Sequence, residues 1–359
     1  LVMFCSENQK INDSIKYLKK MLEYKEFQNI DDIYINIIRS YIQLNNYNKS
    51  IEYGLKALKN NSKNLELLYL LCNLYIQINN YDKIIYYGDL YLFNINYEQN
   101  KNNYIDLLNN ICIYCDVNKK YEDSIKYLKI ALKYNKTVDN YNKIIVKYLS
   151  LNYLDLGLIN CNLCIDLKPN VETYSYLQEI HYREKNYKQS VYYYELIIDK
   201  YFDEIKDNIQ LLYNGCFSYF ANKQLQKGYK LFEYRLIKPI PAGHKEVCLK
   251  IDFIPLWNKQ DFKKLLIVGE QGYGDIVMYY RFVIEIAEKY PNKTFYFFCR
   301  DIPIFDTIKP NIFILENVTS DMNIDYRINI MSLPLYLDMT SITLNKYNYI
   351  KTFKEKNDY

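Results

Sequence analysis

The sequence predicts a mainly α-helical chain of stacked helix pairs, followed by a small α/β segment. Two observations lead to this fold class. A pattern of about 34 residues recurs through the first two thirds of the chain, and it stops after residue 238, where two prolines and a glycine interrupt it. Beyond that point short apolar runs and a glycine-containing turn replace the helical pattern, which is typical of a parallel sheet.

The composition is that of a globular protein and excludes several function classes. Half of the 359 residues are hydrophobic and a quarter are charged, with 46 basic and 42 acidic side chains. No block of like charge is long enough for a nucleic-acid or membrane surface, and no stretch approaches the ~18 apolar residues of a membrane span. Nine cysteines, an odd number, fit a reducing compartment. We therefore expect a cytoplasmic protein with neither nucleic-acid nor membrane partners.

The helical repeat is defined by a residue that marks the same phase in each copy and is Ser or Gly in six of the seven copies. Seven positions hold this phase: Ser14, Ser50, Ile84, Ser124, Gly157, Ser190 and Gly228. Each marker from Ser50 onward follows a second amphipathic helical pattern, for example between Tyr34 and Tyr41. A small side chain allows two helices to approach closely where they cross. The pattern predicts six repeats between residues 31 and 238, with a leading half repeat over residues 1 to 30.

This arrangement resembles the tetratricopeptide repeat (TPR), which forms an α-solenoid with a concave binding face. The resemblance implies a protein or peptide ligand on that face, which the first helices line. Repeats of O-linked N-acetylglucosamine transferase carry an asparagine just before the anchor of the first helix, and Asn36, Asn110 and Asn214 hold that phase here. An asparagine amide can both donate to and accept from a peptide backbone. The alternative is an exposed asparagine ladder without a ligand, because asparagine is abundant throughout the chain.

Two cysteine pairs have a spacing that occurs in zinc sites. Cys112 and Cys115 form one pair, and Cys161 and Cys164 form the other. The repeat phase places them on faces between helices, and the gap between the pairs matches no compact zinc module. Free cysteine behaves as a small buried hydrophobe. We expect packing residues, with neither a metal site nor a disulfide.

The sequence after the repeats predicts a linker followed by half of a doubly wound sheet. Residues 239–263 are predicted to form the linker. The order strand, glycine turn, helix, strand begins a Rossmann-like sheet over residues 264–345, and residues 346–359 are a polar tail. Predicted strands lie at 264–270, 294–299, 312–315 and 326–330, and predicted helices at 276–289 and 302–308.

The glycine turn does not match a phosphate-binding loop. No Gly-Lys-Ser/Thr follows it, and Gly272-x-Gly274 lacks the third glycine of a dinucleotide fingerprint. Asp275 at the helix start would also repel a pyrophosphate. A carboxylate there can serve as a general base for an incoming hydroxyl, or it can simply stabilise the helix start.

Four motifs in order resemble bacterial tetratricopeptide proteins that carry a GT-B glycosyltransferase domain related to heptosyltransferases. They are Gly228-x-x-x-Phe232-Glu233-Tyr234-Arg235, Pro255-Leu256-Trp257-Asn258, Glu270-Gln271-Gly272-Tyr273-Gly274-Asp275 and Met331-Ser332-Leu333-Pro334. The resemblance implies that Asp275 is the catalytic base for the acceptor. It also implies a substrate-binding role for Glu270, Gln271, Gly272, Gly274 and Ser332.

In that family a second Rossmann-like half binds the nucleotide-sugar. The sequence stops at Tyr359, where this half would begin, so we expect no cofactor in this chain and a nucleotide-sugar donor only with a further domain. Two functions stay open at this point. One is a repeat scaffold that recruits a protein acceptor for sugar transfer, and the other is a non-catalytic interaction protein with a degenerate transferase remnant.

Overall fold

A computed structural model describes residues 11–23, 29–97, 100–237, 251–270, 272–299 and 309–340. The chain divides into two units, Leu1–Tyr176 and Leu177–Tyr359. The division falls inside a repeat helix and groups the end of the repeats with the α/β segment. Each unit is described by itself below.

The first unit consists of a leading helix and four helix pairs, followed by the start of a fifth. The leading helix is α1 (Ile11–Glu23). The pairs are α2 (Ile30–Gln43) with α3 (Tyr47–Asn60), α4 (Leu65–Gln77) with α5 (Tyr81–Asn94), α6 (Lys101–Val117) with α7 (Tyr121–Tyr134), and α8 (Val138–Ser150) with α9 (Leu154–Leu167). Helix α10 (Val171–Arg183) begins the fifth pair and spans the division.

The second unit completes the helical repeats. Helix α11 (Tyr187–Ile205) follows α10, and the sixth pair consists of α12 (Ile209–Ala221) and α13 (Leu225–Phe232). A short 3-10 helix over Glu233–Leu236 ends the repeats. The six described pairs, with α1 before them, confirm the predicted fold class of repeated helix pairs. Among the described residues no helix has both the length and the apolarity that crossing a bilayer requires.

The two helices of a pair cross at the predicted small residue. All seven marker residues are buried. The Ser50 hydroxyl donates to the carbonyl of Ile38 at 3.3 Å, and the Ser190 hydroxyl donates to that of Gln178 at 2.9 Å, in each case a residue 12 positions earlier. A bulky side chain at these points would force the helices apart. The period in the sequence is therefore the spacing of these crossings.

The turn inside each pair contains one residue in the left-handed region. These residues are Asn45, Asn79, Lys119, Asn152, Lys185 and Lys223, with φ between 54° and 62°. The backbone N–H that follows each of them donates to a carbonyl in the last turn of the first helix, as in the bond from Asn46 to Tyr41 at 2.9 Å. This is the hydrogen bond of a Schellman-type helix end. The six turns share one geometry although none has the glycine that favours it.

The α/β segment is a four-stranded parallel sheet in the order β3-β2-β1-β4. The strands are β1 (Lys264–Val268), β2 (Thr294–Phe298), β3 (Ile312–Leu315) and β4 (Tyr326–Asn329). Helix α14 (Tyr273–Lys289) connects β1 to β2, and a 3-10 turn (Ile330–Ser332) leads from β4 into the short helix α15 (Leu333–Tyr336). The predicted helix at 302–308 and the tail at 346–359 lie outside the described residues.

Both faces of the sheet are covered, as the apolar strands require. On one face Leu265 and Ile267 share a core with α14 and with Phe232 of the last repeat. On the other face Leu266 and Val268 pack against Ile251 and Ile254. Residues 251–263, the described part of the predicted linker, are thus part of the folded segment, because their apolar side chains cover a sheet face that would otherwise be exposed.

Candidate functional site

The carboxyl edge of the sheet has a topological switch point between β1 and β4. From β1 the chain proceeds to β2 and β3 on one side, and β4 then joins on the other side. Ligands of open α/β sheets bind in the crevice at such a point. Glu270 follows β1, and Ser332 lies in the turn after β4. The structure therefore brings together two of the predicted substrate-binding residues.

An arginine from the end of the repeats occupies this crevice. Arg235 lies in the 3-10 helix after α13. Its Nη2 donates to Oε1 of Glu270 at 2.6 Å and to Oγ of Ser332 at 2.9 Å, and its Nη1 donates to Oε1 of Glu233 at 2.6 Å. The side chain of Arg235 is only 5% exposed and that of Glu270 only 15%. Three segments far apart in the sequence thus meet in one buried ionic network.

The remaining polar atoms of the network are also paired. The Asn329 amide and the Met331 backbone N–H donate to the Glu270 carboxylate at 3.3 and 3.2 Å, and the Ser332 hydroxyl donates to Glu233 at 2.9 Å. Burial of the guanidinium opposes its charge, but Glu270 and Glu233 outweigh this, so the pKa of Arg235 is raised. A buried ion pair is stable only when its other hydrogen-bonding groups are satisfied in this way.

This pairing defines what Glu270 and Ser332 do in the described structure. Both hydrogen-bond to protein groups, and both hold Arg235 in place. Their substrate-binding role stays a prediction, and a substrate that used them would have to compete with Arg235. Within the described residues, Glu233, Arg235 and Asn329 complete the network, although sequence reasoning gave them no site role. The only signal for two of them was their place in the motif at the end of the last repeat.

The predicted catalytic base lies beside this network. Asp275 is in the first turn of α14, is half-buried, and has no hydrogen bond or ion pair within the described part of the chain. Gly272 precedes the helix and is exposed, as is Gly274, where an added Cβ would meet nothing within 4 Å. The turn is therefore open on this side. Gln271 lies outside the described residues. The roles of these residues as base and substrate ligands stay predictions.

The three predicted peptide-binding asparagines have different surroundings. In the first unit, Asn36 is exposed, whereas Asn110 is half-buried and its Nδ2 donates to Oδ1 of Asn73 on the preceding first helix at 3.2 Å. In the second unit, Asn214 is exposed and accepts from Gln210, one turn earlier on the same helix. Asn36 and Asn214 thus present amides at the surface, while Asn110 links two neighbouring repeats.

The cysteines of both predicted zinc-like pairs are buried free thiols. Burial raises the pKa of Cys112, Cys115 and Cys161 to about 12. The Cys112 thiol donates to the carbonyl of Ser124 at 3.8 Å, so this crossing has its donor on the first helix, whereas Ser50 donates from the second helix to Ile38. In the described ranges, no group of three or more candidate ligands could hold a metal ion. These thiols act as packing groups at helix crossings.

Comparison with known proteins identifies the fold and no family. No family model and no curated protein matches the sequence. A similar solved structure is that of Naa15/Naa10 bound to HypK, with a TM-score of 0.52, 13% identity, and coverage of 81% of this chain and 42% of that one. The C-terminal part of a TPR protein from Cytophaga hutchinsonii has a TM-score of 0.47, 14% identity, and coverage of 67% and 96%.

A third neighbour is YrrB, described as a TPR protein with an unusual peptide-binding site. Its TM-score is 0.37 at 16% identity, with coverage of 51% of this chain and 91% of that one. At these identities the likeness shows the fold alone. The chain has a TPR-like fold of stacked helix pairs.

Proposed function

We propose that the chain is an interaction scaffold that binds an extended peptide segment of a partner protein on the concave face lined by its first helices. The observation that carries this proposal is the surface presentation of asparagine amides at one phase of these helices. Asn36 offers an amide with no partner among the described residues, and Asn110 holds its neighbour in register. Such amides can grip a peptide main chain without regard to its side chains.

A peptide library tests this proposal. Extended peptides of about ten residues, randomised in sequence, are screened for binding to the full chain by fluorescence polarisation. Replacing Asn36 with Ala should weaken the selected peptides about tenfold, because hydrogen bonds to the peptide backbone are lost. Asn48→Ala, an exposed asparagine on the second helix α3, is the matched control and should have no effect. Equal effects of both changes would contradict the proposal.

A second proposal is that the α/β segment belongs to a glycosyltransferase-like domain, with Asp275 as base for the acceptor hydroxyl. The carboxylate of Asp275, which has no partner among the described residues, lies at the carboxyl edge of the sheet and favours it. The diphosphate of a nucleotide-sugar needs basic groups or helix N-termini, and Arg235 at this edge is already neutralised by two carboxylates. The donor would therefore be held by groups other than Arg235.

The test of the second proposal is a transfer assay with calorimetry. Radiolabelled nucleotide-sugars are supplied together with a peptide that binds the repeats. Transfer that is lost in Asp275→Asn, and kept in the control Asp261→Asn on the same segment, would support a catalytic base. Absence of both binding and transfer would favour the non-catalytic scaffold.

A further inference from the structure

The third repeat contains a cavity between its helices and the first helix of the fourth repeat. The volume is about 260 Å³. Its apolar walls come from α6 and the end of α7 and include Tyr104, Ile105, Leu108, Ala131 and Tyr134. Pockets that enclose cofactors or drug-sized ligands are larger, roughly 300–1,000 Å³. The cavity is therefore suited to one large side chain of a bound peptide.

Two exposed apolar residues form a stripe on α6 next to the cavity. A peptide that placed one side chain in the cavity could lay its neighbouring residues on this stripe. Ile113 and Val117 of α6 are 61% and 76% exposed. Together with Asn109, which lines the cavity, they lie at successive intervals of four residues and so share one helix face. We call the cavity and this stripe the third-repeat groove. Large apolar side chains this exposed on adjacent turns are typical of an interaction surface.

Acidic residues lie on the first helices of the repeats before and after the groove, as well as on that of the third repeat itself. One carboxylate occupies the same phase near the start of each first helix of the first unit, and all five are exposed: Asp32, Glu66, Asp106, Asp139 and Glu172. Glu66 pairs with Arg39 at 2.6 Å and Asp139 pairs with Lys143 at 2.6 Å. Within the described residues the other three have no basic partner. Arg39 and Lys143, the second of which also lines the cavity, neutralise two of the five carboxylates, so three negative charges remain along this row of a chain whose formal charge is +4.

We propose that the third-repeat groove binds a basic peptide segment with one large apolar anchor. An aromatic or long aliphatic side chain enters the cavity, and neighbouring lysines or arginines face the acidic row. The proposal rests on the proposed function of the first-helix face and specifies the partner's chemistry. The carboxylates raise the association rate and select against acidic segments, while the buried anchor supplies most of the affinity.

Three fluorescein-labelled peptides of eleven residues test this partner chemistry. The first alternates lysine and alanine around a central phenylalanine, the second replaces the phenylalanine with glycine, and the third replaces every lysine with glutamate. Binding to the full chain is measured at 50 and 200 mM salt. We expect the first peptide to bind at least tenfold more tightly than the other two, and its affinity to fall with salt.

Variants locate the binding site. Ala131→Leu fills the cavity and should weaken the first peptide about tenfold, and Val117→Ser should weaken it about threefold. The matched control for Val117→Ser is Phe93→Ser, which alters an equally exposed residue on the second helix α5. Asp106→Lys should weaken binding about fivefold, whereas Glu122→Lys on α7 should not. Circular dichroism of each variant confirms that the fold is kept.

The outcomes separate this proposal from the proposed function. If library peptides bind and need Asn36, but the tight binders are acidic or lack an apolar anchor, the proposed partner chemistry is wrong and the scaffold function stands. If the first peptide binds and Phe93→Ser weakens its binding as much as Val117→Ser does, the peptide does not bind in the third-repeat groove. If no library peptide binds, the scaffold function itself fails.

Discussion

The helix pairs and the α/β segment bury polar groups in opposite ways. In the pairs, a neutral hydroxyl or thiol bonds a carbonyl 12 residues away, as Ser190 does with Gln178. At the sheet edge, a charged guanidinium bonds a hydroxyl 97 residues away, as Arg235 does with Ser332. The first kind of contact is local and repeated, so the loss of one such contact removes only a small part of the free energy of unfolding. The second kind is single and charged, so its loss leaves buried carboxylates unpaired.

The largest effect should come from breaking the charged network. Arg235→Met removes the buried cation and leaves the half-buried carboxylates of Glu270 and Glu233 without it, which should cost about 3–5 kcal/mol. Urea unfolding followed by the fluorescence of Trp257 measures this, because Trp257 is the only tryptophan and lies in the α/β segment. The control is Arg39→Met, which breaks an exposed ion pair and should cost at most about 1 kcal/mol. Similar losses in both variants would contradict the comparison.

A smaller effect should come from the crossings of the pairs, and it should differ between two serines. Ser190 bonds Gln178 and the Ser218 hydroxyl, so Ser190→Ala should cost about 1–2 kcal/mol. The buried Ser124 hydroxyl has no partner in the described part of the chain, so Ser124→Ala should be neutral or stabilising. Thermal unfolding followed by circular dichroism compares the two.

The volume of the side chain at Ser124 should affect stability separately from its hydrogen bonding. Ser124→Leu should overpack the crossing and cost about 1–3 kcal/mol, because the Ser124 side chain is fully buried. A Leu variant as stable as the Ala variant would show that this crossing has free space, and the small-residue explanation of the repeat would then be wrong.

The smallest effect should come from the turns. Lys119 has φ of 57°, which costs free energy for any residue with a Cβ, so Lys119→Gly should gain up to about 1 kcal/mol. Lys129→Gly, in the interior of the following helix α7, should instead lose about 1 kcal/mol. Unfolding in urea measures both, and a loss in both variants would show that the left-handed turn carries no strain.

The same difference between regions explains what the sequence could predict. The helix pairs were predictable because small residues such as Ser50 and Ser124 recur in phase, and each contact lies within one repeat. The strands were predictable from short apolar runs such as 264–268. The network around Arg235 was not, because no local pattern shows that an arginine after the last repeat will meet Glu270 and Ser332. Likewise, Asn73 lies outside the expected phase, so its bond to Asn110 was not foreseen.

The central claim is that the first helices of the repeats form the peptide-binding surface. Hydrogen–deuterium exchange of the full chain, with and without the tightest peptide of the library, tests it most directly. We predict slower exchange on binding in the first helices, above all in α6 (Lys101–Val117) and α8 (Val138–Ser150), while α5, a second helix that does not line the cavity, is unchanged. Slower exchange confined to the second helices, or to the α/β segment, would contradict the claim.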